Sequence, residues 1–412
     1  MTFNLTSKKK KTIFLFFSQI FSLSTAFITN MFLAKMLGAK NFGTYALCLS
    51  IISFFSIFYE FGFFASSARL LAQVSSSLEE KKLIGASLIV FFFIAFSFIF
   101  TILVVAFLTK KLYGKEISNI LKSNAIVSWA LIVPFFLDLI CKGTNKIELL
   151  SIFNFLWRIL FLVFIFLLYF FKLFKPAYIL FSFCISILIV FIFVILRLSP
   201  SFKGINSYLK EIFQEFKKYG IHIYIGRVID VSTYQLDRLL LGYFATPKDV
   251  GFYSLATSMA TPINTFSSAL ASTKFKDFAS GKLIAKKLLL INFFWIVFSI
   301  ISVNIFGYLV INYYLGKEYE NMFIILIIMS FAVGFQAAYQ LYNAWLASNG
   351  YGRILKKMSL FMASINFLGI ITLIPFLFSL GAALGSVLGT FTYFIISYYY
   401  YNKVKEEHFG NV

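Results

Sequence analysis

Residues 40–47 read Lys-Asn-Phe-Gly-Thr-Tyr-Ala-Leu, and residues 248–255 read Lys-Asp-Val-Gly-Phe-Tyr-Ser-Leu. The second octapeptide repeats the first after 208 positions in a chain of 412 residues, and each copy follows one long apolar run and opens another. The pattern predicts two similar halves, each starting with a helix, a short polar turn and a helix. Internal repeats of this size in an apolar chain are typical of transporters, in which the substrate path runs between the halves.

The composition indicates that the chain is embedded in lipid. Apolar residues make up 60% of it and charged residues 13%, with a mean hydropathy of +0.88. Soluble domains are about 45–50% apolar and about 25% charged. A helix that spans a bilayer needs roughly 20 mostly apolar residues, and the chain has many such runs. We therefore predict an all-α polytopic membrane protein.

The apolar runs predict about twelve transmembrane helices in two pseudo-symmetric six-helix lobes. The predicted spans are 13–34, 43–64, 84–108, 124–141, 150–171, 177–197, 220–244, 251–273, 288–315, 322–346, 358–378 and 380–401. The predicted domains are an N-terminal lobe at 1–197, an amphipathic linker at 198–219, and a C-terminal lobe with a short tail at 220–412.

The distribution of Lys and Arg predicts the orientation. The N-terminal tail and the loops on its side of the membrane carry 24 of these residues, and the opposite side carries 10. By the positive-inside rule, both termini are expected in the cytoplasm. The net charge of +21 is then an orientation signal and not a sign of nucleic-acid binding. The linker alternates apolar residues and lysines at helical spacing, which predicts a basic amphipathic segment on the cytoplasmic leaflet.

A polar stripe follows the seventh predicted span. Arg227, Asp230, Tyr234 and Asp237 recur at i, i+3, i+7 and i+10, which places them on one helical face, and Arg238 lies one residue further round. Ionisable groups inside a membrane usually face a cavity or a partner. The stripe therefore predicts either a polar wall of a central cavity or a self-neutralised structural network that fixes this helix.

Other polar residues inside predicted spans are also candidates. Asp138 and Arg158 either face the same cavity or pair with each other. Gln336, Gln340 and Asn343 follow at i, i+4 and i+7 of the tenth span. Such amides suit hydrogen bonds to sugar hydroxyls and suit interhelical hydrogen bonds equally well.

The sequence offers no signature of an enzyme. It contains no phosphate-binding glycine loop, no Ser-His-Asp set and no paired catalytic carboxylates. The three cysteines lie in separate apolar runs, and the two histidines are far apart in the sequence. We therefore predict a protein that is not an enzyme and that uses no cofactor and no metal.

Several stretches resemble bacterial polysaccharide exporters. They are residues 34–47, 60–63 and 69–72 of the first half, and residues 236–242 leading into 250–256 of the second. Together with the chain length and the predicted spans, they resemble the Wzx-type O-antigen flippases of the multidrug/oligosaccharidyl-lipid/polysaccharide exporter superfamily.

The resemblance implies an alternating-access flippase of the bacterial inner membrane. Its cargo would be an undecaprenyl-pyrophosphate-linked oligosaccharide, moved from the cytoplasmic to the periplasmic leaflet. Members often line the cavity with cations, which makes Arg158, Arg227 and Arg238 the candidates to meet the pyrophosphate. The implied partners are this lipid-linked oligosaccharide and membrane lipids, with no nucleic acid. A proton or sodium ion carried by Asp230 or Asp237, a polysaccharide polymerase and a chain-length regulator are further candidates.

Two other functions stay open from the sequence. An ion-coupled multidrug exporter of the same superfamily would share the fold, although the first half lacks an acidic cluster. A membrane-embedded polymerase or acyltransferase would be an enzyme. The short outer connection at about 109–123 and the absence of a histidine deep in a predicted span count against it.

Overall fold

The computed structural model describes residues 7–221, 224, 236–280 and 282–409. In these ranges the chain is built from helices, and no β-strand occurs. The helices, in chain order, are α1 (Ser7–Phe58), α2 (Phe63–Leu71), α3 (Ser77–Leu112), α4 (Lys115–Asn124), α5 (Val133–Gly143), α6 (Ile147–Phe170), α7 (Pro176–Leu198), α8 (Asn206–Glu215), α9 (236–244), α10 (Pro247–Ala260), α11 (Pro262–Ala279), α12 (Lys286–Leu309), α13 (Met322–Ser348) and α14 (Gly352–Phe409). Short 3₁₀ or π-helical turns occupy Ala125–Ile132, Phe216–Gly220, Val310–Leu315 and Lys317–Tyr319.

Among the described residues, eight helical segments are long and apolar enough to cross a membrane. Two of them are sharply kinked, α1 at Gly38 (φ 73°, ψ 166°) and α14 at Phe378 (φ 50°, ψ −126°). When each kinked helix is counted as two, these segments account for ten of the predicted spans. The predicted fold class, an all-α polytopic membrane protein, is confirmed.

The other two predicted spans are the seventh and the eighth. The seventh, at 220–244, lies largely outside the described residues, and its described end is α9. The eighth corresponds to two helices, α10 and α11, which are separated at Thr261. Pro262 is the first residue of α11. Because proline lacks an N–H but suits the first turn of a helix, it ends one helix and begins the next.

Charged residues mark both ends of α3. Glu79 and Glu80 lie in its first turn, and Lys110 and Lys111 lie in its last turn. This arrangement complements the helix dipole, which favours anions at the N-terminus and cations at the C-terminus. Residues 83–109 between them contain no charged side chain, so this stretch can cross the hydrocarbon layer.

The chain divides into two compact units. The first comprises residues up to Phe32 and the segment that starts at Cys48 and continues through α8. The second comprises Leu33–Leu47 and the segment from Leu236 onward. Both copies of the repeated octapeptide therefore belong to the second unit. The division into lobes at 1–197 and 220–412 stays a prediction.

In the first unit, the linker helix α8 and the π-helical turn that follows it pack on the short helix α2. The rings of Phe63 and Phe216 stack with their centroids 4.1 Å apart. Arg69 of α2 forms an ion pair of 2.7 Å with Glu215 of α8. The sequence did not predict α2 as a separate element, because its nine residues are too few to give an apolar run of membrane length.

In the second unit, α14 folds back on itself at Phe378 and packs against α13. Glycines allow its two arms to approach closely, since a Cβ at Gly381 would lie 2.4 Å from the carbonyl oxygen of Leu373. Small residues at helix contacts are the usual means of close packing in membranes. Near the C-terminal end of α13, Trp345 is buried and its Nε1 donates to the carbonyl of Lys282 at 3.1 Å.

Candidate functional site

The two copies of the octapeptide contact each other through equivalent glycines. A Cβ added at Gly43 would lie 1.6 Å from the carbonyl oxygen of Pro247, and one added at Gly251 would lie 2.9 Å from the carbonyl oxygen of Ala39. Real Cβ atoms do not approach other atoms this closely, so only glycine fits at either position. The helix that starts after Gly38 and helix α10 therefore meet backbone to backbone.

The break in α1 at Gly38 is capped by two consecutive residues from the loop between α12 and α13. The backbone N–H of Ala39 donates to Glu318 Oε1 at 3.1 Å, and the hydroxyl of Tyr319 donates to the carbonyl of Ala34 at 2.7 Å. A helix break leaves such backbone donors and acceptors without their intrahelical partners. Glu318 and Tyr319 therefore satisfy one group on each side of the kink.

Tyr319 is well suited to this role because it stays protonated. Its side chain is buried, with 1% of the residue exposed. Burial raises the pKa of the Tyr319 phenol well above its usual value, and the neighbouring charge of Glu318 acts in the same direction. The hydroxyl therefore remains a hydrogen-bond donor to the backbone of α1.

The second copy begins with its own cap. The Thr246 side chain accepts from the backbone N–H of Asp249 at 3.3 Å, and Asp249 Oδ2 accepts from the backbone N–H of Thr246 at 3.2 Å. This reciprocal pair is a capping box, with Pro247 as the first helical residue. Ser379, next to the kink of α14, donates to the other carboxylate oxygen of Asp249 at 3.1 Å.

Next to the second copy lies a buried carboxylate, Asp237 of α9. Its Oδ2 accepts from the hydroxyl of Tyr253 at 2.6 Å and from Ser386 Oγ at 3.1 Å. The residue is 5% exposed, so its side chain is buried inside the protein. Its Oδ1 accepts no hydrogen bond from any described residue. A desolvated carboxylate that has two hydroxyl partners on one oxygen, and no described partner on the other, can hold a proton or a small cation.

Arg238 follows Asp237 in α9 and is half-buried. Its Nε is buried and has no acceptor among the described residues. Arg227, Asp230 and Tyr234, which complete the predicted stripe, lie outside the residues that the structure describes. Of the five stripe residues, the structure therefore places the carboxylate of Asp237 and the guanidinium of Arg238, which are adjacent in the sequence.

Asp138 and Arg158, predicted to pair or to share a cavity, have different surroundings in the first unit. Asp138 pairs with Lys142, one turn further along α5, at 2.7 Å. The guanidinium of Arg158 lies over the ring of Trp157, 4.4 Å from its centroid. Lys142 is therefore an ion-pair partner of Asp138, and a cavity shared by Asp138 and Arg158 stays a prediction.

The amide stripe of α13 makes interhelical hydrogen bonds. Gln340 Nε2 donates to Asn264 Oδ1 of α11 at 3.1 Å, and Asn343 Oδ1 accepts from the hydroxyl of Tyr393 of α14 at 2.9 Å. Gln336 is half-buried on the same helix. For Gln340 and Asn343, these contacts favour the second sequence interpretation, in which the amides join helices.

Sequence reasoning missed most of the partners that define these sites. Ser386 lies 149 positions from Asp237, and Glu318 lies 279 positions from Ala39. One signal was present, because Tyr253 is one of the residues that the two octapeptides share, together with Tyr45. A tyrosine kept in both copies points to a fixed position in the fold, although not to its partner.

The architecture is found in solved transporters. An inward-facing multidrug resistance MATE family transporter of the MOP superfamily matches with a TM-score of 0.74 at 12% identity, over 95% of both chains. The lipid II flippase MurJ in an inward closed conformation matches with a TM-score of 0.68 at 16% identity, over 95% of this chain and 87% of MurJ. An outward-facing MATE transporter matches at 0.59 and 12% identity, over 97% and 96% of the two chains. At these identities the likeness establishes the fold.

The fold therefore defines a multi-span helical membrane protein of the kind seen in MATE and MurJ transporters. The sequence profile of a family described as polysaccharide biosynthesis protein matches residues 9–275, which is more than half of the chain. The chain belongs to this family. No curated protein matches it.

Proposed function

We propose that this protein is a flippase for lipid-linked oligosaccharides. It moves an undecaprenyl-pyrophosphate-linked repeat unit, of O-antigen or another surface polysaccharide, from the cytoplasmic to the periplasmic leaflet by alternating access. The observation that carries the proposal is the combination of membership in a polysaccharide biosynthesis family with a fold shared with the lipid II flippase MurJ. Such cargo is lipid-anchored and carries a charged head group, which calls for a polar path inside the membrane.

In this proposal the protein lies in the bacterial inner membrane with both termini in the cytoplasm. The support is the excess of Lys and Arg in the loops on the N-terminal side. Arg158, Arg227 and Arg238 are the candidate cations for the pyrophosphate. Asp237 is the candidate carrier of a coupling proton or sodium ion, because its carboxylate is buried and its Oδ1 accepts no hydrogen bond from any described residue. A polymerase and a chain-length regulator would receive the cargo outside.

Deletion of the gene tests the cargo. The expected result is loss of surface polysaccharide and accumulation of lipid-linked repeat units on the cytoplasmic face, with rescue by the intact gene. Normal polysaccharide in the deletion strain would contradict the proposal. In proteoliposomes, Asp237→Asn is expected to reduce the effect of a proton or sodium gradient on flipping, whereas the matched control Asp277→Asn changes a half-buried acid paired with Lys274 at 3.1 Å.

A multidrug exporter is the second candidate function. The observation that favours it is the MATE transporter match, which has the higher TM-score of 0.74. Susceptibility of the deletion strain to several cationic dyes separates the two candidates. If the protein is an exporter, the deletion strain becomes more sensitive to the dyes and keeps its polysaccharide. If it is a flippase, the deletion strain loses its polysaccharide and keeps its sensitivity to the dyes.

A further inference from the structure

A cavity of about 710 Å³ lies between α3 and α8 in the first compact unit. Apolar side chains line it almost completely. Val90, Phe93 and Ile94 form the wall contributed by α3, and Ile212 and Phe213 belong to the wall contributed by α8. Phe93 is 77% exposed, so this wall is open to the surroundings and not closed by another helix of the unit. In a membrane-spanning helix, such a concave apolar surface faces lipid chains.

Two lysines line the cavity, one in α8 and one in the π-helical turn that follows it. Lys210 and Lys217 are separated by two helical turns, and Phe213 and Gln214 lie between them on the same face. Both lysines are exposed, and the ammonium of Lys217 lies 4.9 Å from the ring centroid of Phe213. Long lysine side chains cover apolar surface with their stems and place their charge at its edge.

The acidic residues of the same helix do not neutralise this face. Glu215 is bound to Arg69 at 2.7 Å, and Glu211 does not line the cavity. Within the described part of α8 and its π-helical continuation, the charged side chains that line the cavity are therefore the two lysines. The rim of the cavity is positive, whereas its interior is apolar.

The helix that carries the lysines is fixed in place. Ile212 is completely buried, and a Cβ at Gly220 would lie 2.4 Å from Ser66 Oγ of α2. The stack of Phe63 on Phe216 secures the same contact. A basic amphipathic helix alone attracts anionic lipid along its whole length. Docking on α2 instead fixes two of its lysines beside one apolar cavity.

We propose that this cavity is a binding site for an anionic phospholipid of the leaflet on which α8 lies. One acyl chain lies against the α3 wall at Phe93, and the phosphate is held by Lys210 and Lys217. The positive rim complements the lipid phosphate, and the apolar interior complements the chain. This site is independent of the proposed transport function, because neither the cargo nor the buried carboxylate takes part in it.

Lipid selectivity of the full-length protein in liposomes tests the phosphate contact. Spin-labelled phosphatidylglycerol and phosphatidylcholine report the fraction of each lipid that the protein immobilises. The wild type is expected to prefer phosphatidylglycerol, and K210Q/K217Q to lose that preference, with a loss of roughly fivefold for each lysine removed. The matched control K203Q/K218Q removes the same charge from the same segment at lysines that do not line the cavity, and it is expected to keep the preference.

A second pair of variants tests the chain contact. Phe93 and Phe96 lie less than one turn apart on α3 and are 77% and 76% exposed, but only Phe93 lines the cavity. F93A is expected to reduce the immobilised phosphatidylglycerol at least twofold, whereas F96A is expected to leave it unchanged.

Three results would overturn the proposal. They are no phosphatidylglycerol preference in the wild type, equal losses in the two lysine pairs, and equal effects of F93A and F96A. Equal losses in the lysine pairs would mean diffuse attraction to a charged surface instead of a site.

Discussion

The two copies of the repeated octapeptide have similar sequences, but the starts of their helices are capped by different means. The second copy carries its own capping box, Thr246 and Asp249, three residues apart. The first copy has Gly38 at the position of Thr246, and its cap comes from Glu318, 279 positions away from Ala39. One helix start is therefore encoded locally, and the other depends on tertiary structure. The comparison shows that two helix starts with similar sequences can be stabilised by different groups.

Substitution of Gly43 is expected to break the contact between the copies with the largest effect. In Gly43→Ala, the new methyl group would lie 1.6 Å from a backbone carbonyl, which no side-chain rotation relieves. We expect a loss of about 3 kcal/mol or more in the free energy of unfolding. Gly251→Ala is expected to cost less, because its nearest contact is 2.9 Å. Unfolding in detergent micelles measures both.

The control for these variants is Gly352→Ala, where no atom lies within 4 Å of the added Cβ. It is expected to leave stability nearly unchanged. Equal stability of Gly43→Ala and Gly352→Ala would show that the helices can separate without cost, and the proposed backbone contact would be wrong.

Removal of the Tyr253 hydroxyl tests a difference in charge between the segments that precede the two copies. Tyr253 donates to the buried Asp237, whereas the position 208 residues before Asp237 holds the uncharged Thr29. Hydrogen bonds to charged groups contribute about 1.5–3 kcal/mol, so Tyr253→Phe is expected to reduce stability by about that amount. Tyr243→Phe, at a residue 51% exposed, is the control and is expected to be neutral. A neutral Tyr253→Phe would contradict the hydrogen-bonded cluster.

The cap of the second copy is expected to have a moderate effect. Asp249→Ala removes the carboxylate that accepts from the Thr246 backbone and from Ser379. Loss of a helix cap costs about 0.5–2 kcal/mol, and the three hydrogen bonds that this carboxylate accepts, including one from the Thr246 hydroxyl, place the variant in the upper part of that range. Chemical unfolding of the purified protein measures it. Stability equal to that of the wild type would mean that Pro247 alone fixes the helix start.

The cap of the first copy is expected to have the smallest effect. Glu318 is solvent-exposed, so its hydrogen bond to the Ala39 N–H is weakened by water and salt. We expect Glu318→Ala to cost about 0.5 kcal/mol at low salt, decreasing as salt is added. Unfolding at two ionic strengths measures this dependence. A larger loss than that of Asp249→Ala would reverse the comparison between the two caps.

Sequence alone predicted the elements whose signal is local. Apolar runs between charged ends, such as that of α3, gave the spans, since a bilayer requires long uncharged helices. The kink at Gly38 was predicted as a polar turn, because the pattern shows a loss of apolar periodicity but not whether the helix axis continues. The short helix α2 was missed because no such run marks it.

The candidate site was predictable only in part. Asp237 was found because a charge within an apolar run is costly and therefore informative. Its partners were not found, since serine and tyrosine are common in membrane helices and Ser386 is distant in sequence. Lys142 lies at i+4 from Asp138, so their pairing within α5 was available from the sequence, whereas we considered only Arg158 as a partner of Asp138.

The contact between Gly43 and Gly251 is self-complementary. Equivalent positions of the two copies face each other, as they do at the two-fold axis of a symmetric dimer. In such a dimer, every substitution at this position would occur twice, once on each side of the axis. In a single chain each copy changes separately, so one helix start can keep a local cap while the other acquires its cap from a distant loop. Because the two copies are joined in one polypeptide, helices that meet at a symmetric contact can be capped by different groups.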